Sequence, residues 1–188
     1  MPRFLVSGIG ALVSDVAAVL HGHDVEVVGV DDIADVPQVC AAAGPGAFDG
    51  YAQLPATFTV DGDSAVARVH RFFADGVLAR FPAVAAALPA LVPGARLTFV
   101  MGVLPPEVST EDDVAARAAL VRILGHAARA DAPGGLRVSV LRSGSSPKEI
   151  ALTLLGRGGG SSSLTDSLSD EAYADWRIEI LGLMLAET

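Results

Sequence analysis

The first thirty residues place the strongest constraint on the fold, because they read as a strand, a helix and a second strand. Residues 3–7 form an apolar run that is typical of a buried strand, and residues 11–21 repeat apolar side chains at helical spacing. Gly22 predicts the end of that helix, and residues 25–30 are a second apolar run. Two strands joined in this way lie parallel in one sheet with a right-handed crossover. The N-terminal part of the chain therefore predicts a β-α-β unit.

The same alternation continues along the chain and predicts the fold class. The further predicted elements are helices at 33–43, 63–91, 109–130 and 147–155 and strands at 96–101 and 136–141, with at most one or two short strands within 48–60. Pro82 and Pro89 are expected to kink or end the long helix, which Asp61 or Asp63 would cap. We predict an α/β fold with a Rossmann-like, doubly wound parallel sheet in three α/β/α layers. One domain would span residues 1–188, with a Gly/Ser-rich loop at 156–163 and a C-terminal segment at 164–188 that is helical or a helix followed by a strand.

Composition narrows the classes of partner, site and location. The net charge of −9 argues against a nucleic-acid partner, which would need a basic patch. No apolar run reaches the roughly 20 residues of a membrane span, and no secretory leader precedes the first strand, so we expect a cytoplasmic protein. Cys40 is the only cysteine, which excludes an internal disulfide. No three or four ligands stand at metal-binding spacing, so no metal site is predicted.

A short glycine loop joins the first strand to the first helix. Glycines at such a turn allow close approach of a pyrophosphate to the N–H groups of the helix N-terminus, and an acidic residue about 20 positions later binds the ribose. The candidate cofactor residues are Ser7, Gly8, Gly10, Asp31 and Asp32. An acidic residue there would favour NAD(H) over NADP(H). Val13 stands where the third glycine of the motif is expected, so the alternative is a tight turn that needs glycine only for its backbone.

Residues 117–144 run from a helix of small residues through a Pro-Gly-Gly turn into a short apolar strand. This order resembles the helix, turn and strand that carry the Tyr-x-x-x-Lys pair of short-chain dehydrogenases/reductases. The resemblance covers most of residues 1–155. It implies a dinucleotide-binding fold in which tyrosine, lysine, serine and asparagine support hydride transfer at a carbinol carbon.

The positions that match the family's catalytic residues carry different side chains here. The tyrosine position is Asp113, whose carboxylate titrates far below a tuned phenol. The lysine position is Arg117, which keeps the positive charge and would pair with Asp113 across one helical turn. The serine position falls at residues 100–102 and has no hydroxyl, and the asparagine position matches His70. An alternative interpretation of Asp113 is a helix N-terminus rich in caps and acids.

Three functions from different classes remain open. The first is a catalytically degenerate partner, either a homo-oligomer or a hetero-oligomer with an active homologue, as in paired ketoreductases of natural-product pathways. The family resemblance implies contacts through helices 63–91 and 113–130, and small side chains suggest close packing there: Ala79, Ala83, Ala86, Ala87, Ala115, Ala118 and Ala119. No cofactor is expected in that case.

The second function is an enzyme with a rebuilt acid/base site that catalyses dehydration, isomerisation or cyclisation without a cofactor, or a reductase that binds NAD(H) weakly. Its candidate residues are His70, Asp113, Arg117 and Arg142 at the carboxyl ends of the strands. The third is a small-molecule or nucleotide sensor that uses the same cleft. An open cleft would support the last two functions, and a cleft filled by Leu12 and Met101 would remove them.

Overall fold

Five parallel strands form one sheet in the computed structural model, which describes residues 1–56, 61–102, 111–132 and 134–157. The strands are β1 (Arg3–Ser7), β2 (Glu26–Val30), β3 (Phe48–Gln53), β4 (Leu91–Val100) and β5 (Arg137–Leu141). Their order is β2-β1-β3-β4-β5, and every neighbouring pair is parallel. The predicted β-α-β unit is therefore confirmed, and the described part of residues 48–60 contributes one strand.

Six α-helices connect the strands. They are α1 (Gly10–His21), α2 (Val36–Ala43), α3 (Ala65–Phe73), α4 (Arg80–Ala87), α5 (Glu111–Asp131) and α6 (Pro147–Leu154). Short 3-10 turns at Ile33–Asp35 and Leu88–Ala90 precede α2 and follow α4. The predicted C-terminal helix or strand within 164–188 and the loop at 158–163 lie outside the described residues.

The long helix predicted over 63–91 is divided by a π-helical turn at Ala74–Leu78. Pro82 lies in the first turn of α4, where a missing N–H is tolerated, and the helical run ends just after Pro89. The predicted cap was wrong. Ser64 is the N-cap of α3, since its extended backbone lets the side chain accept a hydrogen bond from Ala67 N–H at 3.1 Å. Asp61 instead forms a 2.6 Å ion pair with Arg71.

Side chains that alternate along the strands build two apolar layers, one on each face of the sheet. Leu5, Tyr51 and Phe99 belong to the layer that includes buried residues of α2, α4 and α5. Phe4 and Ala52 belong to the opposite layer, together with residues of α1 and α6. Because successive side chains of a strand point to opposite faces, both faces of the sheet are covered. The prediction of a doubly wound, three-layer α/β/α fold is confirmed.

The helical run Ala65–Ala90 passes a simple test for a membrane span. It has 26 residues and a mean hydropathy of 1.3 in its most apolar window, so the expectation that no segment is long enough does not hold for it. However, 44% of that window is buried inside the protein, and Phe72, Val77 and Val84 are core residues. Because the core helix of a folded protein passes the same test, the run is weak evidence for a membrane span.

Candidate functional site

A partly open cavity of about 440 Å³ lies at the carboxyl ends of the strands. The residues that follow β1, β3, β4 and β5 line it, and Gly76, Arg80 and Arg117 close it from the helical side. Leu12 and Met101 line the cavity without filling it. Ligands of doubly wound folds bind at this edge of the sheet. The cleft is therefore open and placed where a ligand would be expected.

Arg80 is a deeply buried charged side chain in the cavity wall. Only 4% of the residue is exposed, and its Nη2 donates a 3.0 Å hydrogen bond to the carbonyl oxygen of Val100. Its Nη1 is buried without a hydrogen-bond partner, and no carboxylate in the described part of the chain pairs with it. Burial, with a contribution from the charge of Arg117, lowers the pKa of Arg80 to about 10. The side chain therefore stays charged at neutral pH without full compensation.

Arg117 of α5 lies on the same wall, as its match to the family's lysine position predicts. Its guanidinium carbon lies 5.2 Å from the ring centroid of Phe72, and a Cβ at Gly102 would lie 3.5 Å from its Nη2. The Nε is buried without a hydrogen-bond partner, and burial lowers the pKa of Arg117. Asp113 belongs to α5 one turn earlier, but its side chain lies outside the described residues, so its pairing with Arg117 stays a prediction.

The glycine loop is occupied by contacts within the protein. The hydroxyls of Ser7 and Tyr51 are 2.7 Å apart and buried. Gly8 N–H donates to Val30 O at 3.0 Å, and Ile9 N–H donates to Pro55 O at 2.9 Å. Gly8 has a φ of +144°, and a Cβ there would lie 2.6 Å from Cβ of Leu54. Packing against the end of β3 therefore requires this glycine, and the N–H groups of Gly8 and Ile9 are already bonded within the protein.

The two acidic candidates after β2 point in different directions. A Cβ at Gly10 would lie 3.2 Å from Oδ1 of Asp31, so this carboxylate lies beside the first residue of α1. A negative charge is stabilised there by the helix dipole and competes with a phosphate for the same place. Asp32 accepts a 2.9 Å hydrogen bond from Ala34 N–H and caps the 3-10 turn before α2. Asp32 is therefore a structural cap.

Val13 of α1 is a large residue where the family's loop has its third glycine, and the neighbouring strand position, Gly29 of β2, is small instead. Val13 is buried in place of a third loop glycine, and a Cβ at Gly29 of β2 would lie only 3.0 Å from its Cγ1. Close packing of helix and strand is thus achieved by a glycine on the strand. The bonded N–H groups of Gly8 and Ile9, the buried Val13 and the position of Asp31 beside the start of α1 therefore distinguish this loop from the family's three-glycine phosphate loop.

Two predicted cleft residues are placed wrongly by the sequence pattern. His70 is exposed on α3, and Arg142 is exposed after β5, and neither lines the cavity. The long helix meets the cleft later, at Gly76 and Arg80, because the π-helical turn separates α3 from α4. After β5 the cavity is lined by Ser145, whose buried Oγ has no hydrogen-bond partner. His70 and Arg142 therefore cannot act on a ligand in this cleft.

Sequence reasoning missed Arg80 and Ser145. Arg80 is the only charged residue in the apolar stretch 76–95, and this isolated charge was the available signal. The backbone of Arg80 is held by a buried side chain. Gln53 Nε2 donates a 3.3 Å hydrogen bond to Arg80 O and also lies 3.2 Å from Tyr51 Oη. Burial raises the pKa of Tyr51 to about 12, and its side chain is fully buried outside the cavity lining. Tyr51 therefore cannot replace the family's tyrosine.

Metal ligands do not gather in the part of the chain that the structure describes, where no group of three or more His, Cys, Asp or Glu residues is placed to hold an ion. The cleft's polar chemistry in that part of the chain comes from guanidinium, hydroxyl and backbone groups instead.

Comparison with known proteins identifies the fold. No family model and no curated protein sequence matches the chain. Among solved structures, the protein lin1944 from Listeria innocua is 14% identical, with a TM-score of 0.61 over 87% of this chain and 96% of that one. A proposed short-chain alcohol dehydrogenase from Burkholderia multivorans is 16% identical, with a TM-score of 0.58 over 85% and 93%. BdcA in complex with NADPH is 15% identical, with a TM-score of 0.56 over 87% and 89%, and BdcA comes from E. coli. The chain therefore has the fold of short-chain dehydrogenases/reductases.

Proposed function

We propose that this chain, on a short-chain dehydrogenase/reductase fold, binds a small molecule in the cleft without a nicotinamide cofactor and does not carry out hydride transfer. The observation that carries the proposal is Arg80, a charged side chain with a free Nη1 in the wall of an open cavity. Buried charges without partners are costly, and they cluster where a ligand completes the site. A pure scaffold has no use for an open cavity with such a wall.

The absence of a fitting cofactor loop supports the second half of the proposal. The N–H groups of Gly8 and Ile9 are bonded within the sheet, and Asp31 lies beside the start of α1. BdcA, which has a similar fold, binds NADPH. The bonded loop N–H groups and the position of Asp31 argue against the same property in this chain. A cofactor-independent enzyme using Asp113 and Arg117 remains compatible with the proposal, whereas His70 and Arg142 are too exposed to contribute.

The test measures cofactor and small-molecule binding on the full chain. In isothermal titration calorimetry we expect no saturable heat from NAD(H) or NADP(H). In ligand-observed NMR we expect saturable binding of phenylacetate, or of its neutral analogue phenylacetamide, that is lost in Ala56→Phe. Ala56 lines the cavity, and a phenyl ring there fills it. Saturable NADPH binding, or no binding of either aromatic probe, would overturn the proposal.

A second candidate function is the partner role through the long helix. Three large apolar side chains on this helical run are exposed, namely Val66 at 80%, Val69 at 54% and Leu78 at 49%. Exposed apolar side chains grouped on one element favour a contact with another protein. The small-residue face predicted earlier is not this surface, because Ala83 and Ala87 are buried in the chain's own core. The partner surface would instead be formed by Val66, Val69 and Leu78.

Light scattering with size-exclusion chromatography tests the partner role. We expect the wild-type chain to be dimeric or larger, and Val66→Asp/Val69→Asp to be monomeric with an unchanged far-UV circular dichroism spectrum. The control is Ala18→Asp, an exposed position on α1, which should leave the oligomeric state unchanged. A wild-type monomer that also fails to associate with an active homologue would refute this role and leave the ligand-binding proposal untouched.

A further inference from the structure

Two buried cations and an apolar wall face the same cavity. Arg80 and Arg117 are each 4% exposed, and Ile9, Leu12 and Met101 contribute apolar surface to the lining. We propose that the ligand is a small organic acid whose carboxylate binds Arg80 and Arg117 and whose apolar body lies against the rest of the wall. This inference rests on the proposed function, since it names the class of ligand for that cleft.

The need for an anion follows from the donors that remain unused. Nη1 of Arg80, Nε of Arg117 and Oγ of Ser145 are buried without hydrogen-bond partners, and all three residues line the cavity. Guanidinium groups bind carboxylates through paired N–H donors, and such bonds are strongest away from water. Among the described residues, the ion pairs of Arg3 with Glu26 and of Arg71 with Asp61 involve no residue that lines the cavity. A ligand carboxylate would therefore supply acceptors that this part of the protein lacks.

The electrostatic field inside the cleft favours one negative charge. The positive charge of Arg117 contributes to the lowered pKa of Arg80, so the two cations repel each other in the ligand-free protein. An anion bound to both removes that repulsion and raises the pKa of Arg80 again. The whole chain carries a net charge of −9, so the attraction for an anion is local to the cleft. Asp31, whose carboxylate lies beside the first residue of α1, would repel a second negative charge on the ligand.

The lining distinguishes an organic acid from a free phosphate. Besides the two arginines and Ser145, the side chains around the cavity include Leu12, Pro55 and Met101, which offer no hydrogen-bond donors. A phosphate has no apolar surface to bury against this part of the wall. A monocarboxylate with an aliphatic or aromatic body matches both halves of the wall.

The test compares an acid with its neutral amide on the full-length chain. We expect phenylacetate to bind at least tenfold more tightly than phenylacetamide, as measured by ligand-observed NMR titration at pH 7. Arg80→Met and Arg117→Met should each remove most of this difference while leaving amide binding within threefold. Arg71→Met, an exposed arginine on α3, is the matched control and should leave both affinities unchanged. Circular dichroism confirms that each variant is folded.

The outcomes separate the two proposals. Equal affinities of the acid and the amide for the wild-type chain would overturn the organic-acid inference and leave the small-molecule site in place. Inorganic phosphate that binds as tightly as phenylacetate and displaces it would overturn the choice of a carboxylate. If neither aromatic probe binds, the proposed function itself fails. A tenfold preference that survives Arg80→Met would place the anion elsewhere and refute the role of the two arginines.

Discussion

Replacing Arg80 by methionine should stabilise the ligand-free protein. Its pKa falls from 12.5 to about 10 on folding, and at about 1.36 kcal/mol per pKa unit this disfavours the charged side chain by about 3 kcal/mol. Methionine lacks the charge and adapts to the space, but it gives up the hydrogen bond to Val100 O, a loss of about 1–2 kcal/mol. We expect the free energy of unfolding to rise by about 1–2 kcal/mol, since uncompensated buried charges are often improved by apolar replacement.

Urea unfolding at pH 7 measures the change, and thermal unfolding provides a second readout. A gain of about 1–2 kcal/mol corresponds to an increase in Tm of about 2–8 °C for a chain of this size. The control, Arg71→Met, removes an exposed arginine that is paired with Asp61, and its effect should stay within about 1 kcal/mol. Phenylacetate at tenfold its wild-type Kd should stabilise the wild-type chain by about 1.4 kcal/mol and Arg80→Met by only about 0.4 kcal/mol, since the variant is expected to bind it about tenfold more weakly.

A loss of stability in Arg80→Met would refute the expected gain. If the variant lowers the free energy of unfolding by more than about 1 kcal/mol, contacts within the native protein already offset the cost of burying the guanidinium. Arg80 would then be a structural residue that holds β4 through Val100, and the cleft would have no unmet demand for an anion.

Three further changes test other parts of the structure. Tyr51→Phe should remove a pH dependence of stability, because burial raises the pKa of Tyr51 from 10.0 to about 12. The free energy of unfolding of the wild-type chain, relative to that of the variant, should be constant below pH 10 and fall by about 1.4 kcal/mol per pH unit between pH 10 and 12. Urea unfolding at several pH values measures this difference. Gly8→Ala should destabilise by more than about 2 kcal/mol because its Cβ would meet Leu54. Gly46→Ala, with a φ of +62° and open space, should cost only about 1 kcal/mol, and equal losses would contradict the close contact. Ser64→Ala should cost about 1 kcal/mol by removing the cap of α3, and an unchanged thermal unfolding curve would count against that cap.

The sheet could be predicted from sequence because each of its elements is indicated by residues that are close together in the chain. The apolar runs of β1 and β2 and the helical spacing between them need no distant partner to be recognised. Arg117 also lines the cleft, where its match to the family's lysine position led us to expect it. The choice between Asp31 and Asp32 could not be made, because both follow β2 and only the direction of each side chain separates a helix-end contact from a turn cap.

The errors at His70 and Arg80 share one cause. Helical spacing was extended through the whole of residues 63–91, but the π-helical turn at Ala74–Leu78 interrupts that spacing. The turn reads Ala-Asp-Gly-Val-Leu, and its glycine weakens a helix without indicating a π-turn. Arg80 was visible as an isolated charge in an apolar stretch, yet its hydrogen bond to Val100 depends on a strand twenty positions later.

The π-helical turn also determines which face of α3 meets solvent. Each residue advances an α-helix by about 100°, so Val69, eleven positions before Arg80, would lie on nearly the same face as Arg80 in an uninterrupted α-helix. A π-turn holds one residue more than an α-turn, which rotates α3 relative to α4 by about that angle. Val69 is accordingly 54% exposed, while Arg80 is buried in the wall of the cleft.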